Sequence, residues 1–94
     1  MDSNTKLRAN PDIVLREEFD DWAILFDPDT GKAYGINPVS VIIWKHLDGT
    51  HTLDDLMDVL NNHCNNIPNS ARGELEAFLE KLVGRGFAGV DYGN

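Results

Sequence analysis

From Ile13 onward the chain alternates short apolar runs with polar punctuation, and the period of the runs changes partway along. "IVLREEF", "WAILF" and "KAYGI" are rich in β-branched, aromatic and aliphatic residues, the signature of strands. Between the second and third lies "DPDTG", in which Pro28 presets the turn angle, Asp27 and Asp29 bond nearby backbone amides, and Gly31 permits a positive φ. That pattern predicts a hairpin. The connection around Glu18 to Asp21 is equally short, so the three strands are expected side by side as an antiparallel meander. In a meander the middle strand is paired on both sides, whereas the third, near Lys32 to Ile36, keeps one edge open.

The pattern then turns helical. In "INPVSVIIWKHLDG", Asn37 is placed to cap and Pro38 suits the first helical position, where its missing N–H would be unpaired anyway. Val39, Ile42, Ile43 and Leu47 are expected on one buried face, and Asp48-Gly49 stops the helix. Thr52 caps a second helix with Asp54 and Asp55 in its first turn, where the helix dipole favours negative charge. Its inward face is read as Leu53, Leu56, Met57, Leu60 and Cys64, the last as a core thiol. The polar cluster "NNHCNNIPNS" breaks the pattern. Ser70 then caps a third helix with an apolar face of Leu75, Phe78, Leu79, Leu82 and Val83, ended by Gly84 and Gly86. The closing "FAGV" is expected to add a short strand or to dock Phe87 and Val90 on the core.

The predicted fold is therefore α+β: a three-stranded antiparallel β-meander followed by a three-helix, winged-helix-like bundle. Residues 1–11 are polar, without periodicity and closed by a proline, which reads as a flexible N-terminal arm, and residues 12–94 form a single domain. At 94 residues the chain has room for one core.

Composition narrows the partners. Sixteen acids against eight bases give a formal net charge of −8, and no window gathers Lys and Arg into a basic stripe. That balance repels phosphate backbones and anionic lipid, so neither nucleic acid nor membrane is an expected partner. Cys64 stands alone, which rules out an internal disulfide, and the start of the chain lacks the apolar core of a signal peptide. A cytoplasmic protein is the simplest reading.

The usual chemical motifs fail on context. A literal G-x-G-x-x-G at Gly84, Gly86 and Gly89 follows a helix instead of preceding one, so it cannot seat a pyrophosphate on a helix N-terminus. Asp27, Asp29 and Gly31 imitate the start of a calcium loop, but the glycine comes one residue early and the required acid falls on Pro38. His46, His51, His63 and Cys64 lack a shared metal-ligand spacing, and a thiolate at Cys64 would be costly on an apolar face. No metal, cofactor or enzymatic activity is expected.

One stretch carries more than a fold. "GINPVSVIIWKHLDGTHTLDDL" resembles the signature of the PqqD-like family, the RiPP recognition elements, through Ile36, Asn37, Ile43, Trp44, Leu47, Asp48, Gly49, Thr52, Asp55 and Leu56. "FLEKLVGRGF" is similar to the family's closing helix through Phe78, Leu79, Leu82, Gly86 and Phe87. The resemblance implies a peptide chaperone that binds the leader of a ribosomally made precursor and presents it to a modifying enzyme, often a radical-SAM protein. It further implies that the leader adds as a strand along Lys32, Ala33, Tyr34, Gly35 and Ile36, with Leu75, Phe78, Leu79 and Leu82 as the groove wall. A small core claims part of any five-residue apolar face, so about two of those four wall residues are expected to reach peptide. Tyr34 is expected to offer a backbone donor on the open edge.

Two other readings share the element order. A winged-helix nucleic-acid binder would use the third helix, where Arg72, Lys81 and Arg85 are matched by Glu74, Glu76 and Glu80. A pure docking adaptor would bridge proteins without a peptide of its own. The open strand also leaves the choice between a monomer and an edge-paired homodimer.

Overall fold

The computed structural model describes residues 4–64 and 66–90. The first element is one the hydrophobic pattern does not announce: strand β1 (Leu7–Ala9). It lies antiparallel to the last strand, β5 (Ala88–Val90), in the register Leu7↔Val90, Arg8↔Gly89 and Ala9↔Ala88. Its other side is bonded to the turn after the first helix, where Ala9 N–H donates to the Leu47 carbonyl at 2.8 Å and Gly49 N–H to the Leu7 carbonyl at 3.0 Å. Leu7 is only 2% exposed. The expectation of a flexible arm through residue 11 is thereby corrected from Leu7 onward. A three-residue strand is too short to show alternation, and its partners lie about 40 and 80 residues away, beyond any local signal. Residues 1–3 and 91–94, the outer ends of the expected arm and domain, lie outside the described residues.

The meander forms as expected from β2 (Val14–Glu17), β3 (Ala23–Phe26) and β4 (Ala33–Ile36), in the order β2-β3-β4. Side chains alternate across the sheet. Ala23, Leu25 and Ile36 enter the core, while Phe26, Ala33 and Gly35 are exposed. The β3–β4 hairpin closes as its sequence demands. Gly31 N–H donates to the Asp27 carbonyl at 2.8 Å, Asp27 N–H to the Lys32 carbonyl at 2.9 Å, and Gly31 takes φ +76°, a conformation strained for any side chain. The β2–β3 turn holds Asp20 and Asp21 at positive φ and leaves Phe19 exposed at its tip.

Helix α1 (Pro38–Trp44) starts where Asn37 Oδ1 accepts the Ser40 N–H at 2.8 Å. Its buried face is Val41, Ile43 and Trp44, not the expected Val39 and Ile42 stripe, and Val39 is 44% exposed. Only seven residues long, the helix ends before Leu47 can continue its face, so α1 meets the core through a patch instead of a stripe. Helix α2 (Leu53–His63) opens with a capping box: Thr52 Oγ1 accepts the Asp55 N–H and Asp55 Oδ2 accepts the Thr52 N–H. Those bonds hold the Asp55 carboxyl below its usual range, chiefly through the Thr52 N–H. Cys64 is not a core thiol; it takes extended dihedrals at the C-cap and is half-buried.

Helix α3 (Ala71–Gly84) follows Ser70, whose side chain makes no capping bond. It ends in a Schellman arrangement, with Phe87 N–H donating to the Leu82 carbonyl at 2.9 Å and Gly86 N–H to the Val83 carbonyl at 3.1 Å. Gly86 takes φ +76°. The reversal drives Phe87 into the core and aims β5 at β1, so the closing segment both docks and pairs, while Val90 stays exposed. Leu25, Ile43, Leu53, Leu56, Leu79, Leu82 and Phe87 form the centre of the core. Among the described residues no helix is long and apolar enough to cross a membrane.

Two outcomes test this account. Leu7→Ala is expected to cost about 2–4 kcal/mol, read as a lower urea midpoint; a change below about 0.5 kcal/mol would show that β1 is dispensable. Asp48 Oδ1 accepts from the Thr50 hydroxyl at 2.6 Å, the Thr50 N–H at 3.0 Å and His51 Nδ1 at 3.0 Å, and these bonds hold its carboxyl well below the usual range. Because the folded-state value is depressed, the stabilisation is complete above the unfolded value of about 4 and drains away as pH falls below it. Asp48→Asn should therefore be less stable than the parent at pH 7, with the gap closing progressively below about pH 4.

Candidate functional site

Register decides which groups β4 offers. In an antiparallel pair, residues opposite one another alternate between exchanging hydrogen bonds and not doing so. Asp27 and Lys32 form a bonded pair, so Leu25↔Tyr34 and Ala23↔Ile36 are bonded pairs too. The N–H and C=O of Tyr34 and Ile36 thus point at β3, as does the Lys32 carbonyl, while those of Ala33 and Gly35 point away from the sheet. This changes the expectation for Tyr34: its backbone donor is already used, and its contribution to the site is its ring. Among the described residues no strand covers the outer side of β4, because β5 is held by β1.

Beside that edge runs a groove of about 680 Å³ between β4, α1 and the end of α2 on one side and α3 on the other. Tyr34 is half-buried at one end, its ring centroid 6.4 Å from that of Phe78 in a tilted pair. Ile43, Leu60 and Leu75 line the apolar interior, and Val39, Cys64, Ile67 and Pro68 extend it toward the start of α3. Glu74 and Lys81 also line the groove from α3.

The four expected wall residues divide between groove and core. Leu75 and Phe78 line the groove, whereas Leu79 and Leu82, at 1% and 0% exposure, belong to the core and do not. Ile36 is likewise a core residue, and Lys32 sits at the hairpin end with its N–H given to Thr30 Oγ1. The hydrophobic pattern does not mark Val39, Cys64, Ile67 and Pro68 as lining. Ile67-Pro68 was the readable signal, an apolar pair inside a polar turn cluster that no helix face required.

Packing also gathers three histidines, with the His46 ring centroid 5.3 Å from His51 and 6.2 Å from His63. His46 Nδ1 engages the Ile42 carbonyl and His51 Nδ1 engages Asp48. Among the described residues no group of three or more His, Cys, Asp or Glu is placed to hold a metal ion.

Residues 23–88 match the family described as "Coenzyme PQQ synthesis protein D (PqqD)". Among solved structures, TbiB1 in complex with the TbiA(beta) leader peptide superposes with a TM-score of 0.68 at 18% identity, covering 93% of this chain and 98% of that one. A heterocyclase in complex with substrate and cofactor superposes with a TM-score of 0.63 at 17% identity; 93% of this chain is covered, but it spans only 11% of the heterocyclase chain. Both likenesses concern the fold. No match was found among curated protein sequences.

The division between wall and core is measurable. Leu79→Ala should lower stability by about 2–5 kcal/mol, whereas Phe78→Ala, half-buried on the groove, should cost about 1–2 kcal/mol. Equal losses in urea denaturation would put Phe78 in the core.

Proposed function

Because the chain belongs to the PqqD family, we propose that it is a non-enzymatic module that captures the leader of a ribosomally synthesised precursor peptide and presents it to a modifying enzyme. The observation that carries this reading is the juxtaposition of the outward-facing Ala33 and Gly35 backbone with an apolar groove along the same border. A guest strand would complete the sheet. Its alternate side chains would enter the groove against Leu75 and Phe78. The leader peptide bound by TbiB1, a protein of the same fold, supports the choice of ligand.

Magnitudes argue that edge and groove act together. Ala33 and Gly35 offer two donors and two acceptors, and hydrogen bonds of about 0.5–1.5 kcal/mol each sum to about 2–6 kcal/mol, which reaches only the low end of the association cost of about 4–15 kcal/mol. Burying one or two large apolar side chains adds about 1.5–3 kcal/mol apiece. On this reading the edge sets direction and register, and the groove supplies most of the affinity.

The enzyme we assign is a separate radical-SAM protein, following the family resemblance. A second reading is favoured by one observation: this fold recurs as a small part of a heterocyclase chain, which makes a cyclising enzyme the alternative partner.

The strand-addition step is tested at Gly35, where a Cβ would meet nothing within 4 Å, so alanine fits. In calorimetric titrations with the leader of a precursor encoded beside this gene, Gly35→Pro should weaken binding about five- to tenfold by removing an edge donor. Gly35→Ala should stay within about twofold. Equal effects of the two substitutions would place recognition in the groove alone.

A further inference from the structure

In a chain with sixteen acids and eight bases, two of the bases converge on one ring at the end of the groove. The Arg85 guanidinium carbon lies 4.8 Å from the Tyr34 ring centroid and the Lys81 ammonium lies 5.7 Å from it. The two residues are four apart on α3 and at its C-cap, so they share a face. Lys45 and Arg72, by contrast, are neutralised at short range, Lys45 lying 2.6 Å from Glu17 and Arg72 2.7 Å from Asp54. Among the described residues neither Lys81 nor Arg85 has a carboxylate at ion-pair distance. Glu80 is rotated about 100° around the helix from Lys81, and Glu74 lines the groove about 10 Å nearer the helix start.

Contact with the Tyr34 ring positions both cations but leaves their N–H donors available. A cation over an aromatic face gains less than one bonded to a carboxylate, so an incoming acid would take those donors without displacing the ring. A guest strand held by Ala33 and Gly35 turns every second side chain into the groove, at intervals of about 6.7 Å. One such side chain falls abreast of Tyr34, beside Lys81 and Arg85. The next falls over the apolar floor of Leu75, Ile43 and Leu60.

The geometry points to an acidic side chain in the bound peptide abreast of Tyr34, recognised by Lys81 and Arg85, with an aliphatic or aromatic residue two positions away in the groove. This rests on the strand-addition reading and adds to it the chemical class of the ligand. The chain's overall negative field disfavours acidic peptides in general, so selection for an acid at one position has to come from this local pair. Glu74, at the other end of the groove, disfavours a second acid there and helps to fix the direction in which the peptide lies.

The test uses the full chain, isotope-labelled, against a positional-scanning library of acetylated and amidated nine-residue peptides. Peptides that shift the Ala33 and Gly35 amide signals should be enriched in Asp or Glu at one position and in apolar residues two positions away. For the best acidic peptide, Lys81→Glu with Arg85→Glu should lower affinity at least about tenfold and move the preference toward Lys or Arg at that position. Lys81→Gln with Arg85→Gln should abolish the acid preference without creating a basic one. Arg16→Glu with Lys45→Glu gives the same net charge as the first pair, away from the groove, and should leave the preference unchanged. Peptides that shift the edge amides with no acid preference, or a preference that survives the groove reversals, would overturn the acid inference and leave strand addition standing. If no peptide in the library moves those amides, strand addition itself fails and the acid inference goes with it.

Discussion

A β-strand held on one side only is the constraint around which this structure is organised. Ala33 and Gly35 present backbone N–H and C=O groups that β3 does not use, and water satisfies them until another strand arrives. An edge of this kind works as a receptor only if the protein's own segments are kept away from it. The end of α3 does that. Gly86 reverses the chain, Phe87 locks into the core, and β5 pairs with β1, which is itself held by the Leu47–Gly49 turn. The small second sheet is thus what leaves β4 open.

Features written locally in the chain were legible in it. The Asp27–Lys32 hairpin, the Asn37 and Thr52 caps and the Gly86 stop each depend on side chains or glycines within a few residues, and each lies where the pattern put it. What depended on distant partners was not. β1 is invisible locally because its meaning comes from β5 and the α1–α2 turn. The buried face of α1, Val41, Ile43 and Trp44, departs from the expected stripe because a seven-residue helix is too short to repeat one. On α3 the expected apolar face holds except at Val83, which is 38% exposed, and only the positions of β4 and α2 decide that Leu75 and Phe78 meet the groove while Leu79 and Leu82 meet the core.

The role of Tyr34 shows the same limit at finer grain. The sequence places it on the open strand, but the direction of its N–H depends on whether its pair with Leu25 is a bonded one. That follows only from the hairpin bonds at Asp27. With the parity known, backbone and side chain separate. Ala33 and Gly35 carry the unpaired backbone, and Tyr34 carries the ring on which Lys81 and Arg85 rest.

That separation bears on how one small domain could be both permissive and selective. Backbone pairing accepts nearly any sequence that extends, so an exposed edge alone would bind indiscriminately and weakly. An apolar groove adds affinity, yet it distinguishes one hydrophobe from another by only about 1–3 kcal/mol per methylene or shape mismatch. Charge is the feature that rejects most sharply, because an unpaired or like charge at a partly buried site costs more than a poor apolar fit. A receptor with its cations gathered at one end of the groove and an acid toward the other has the three kinds of information that a short extended peptide can carry: direction, hydrophobic spacing and the sign of one charge.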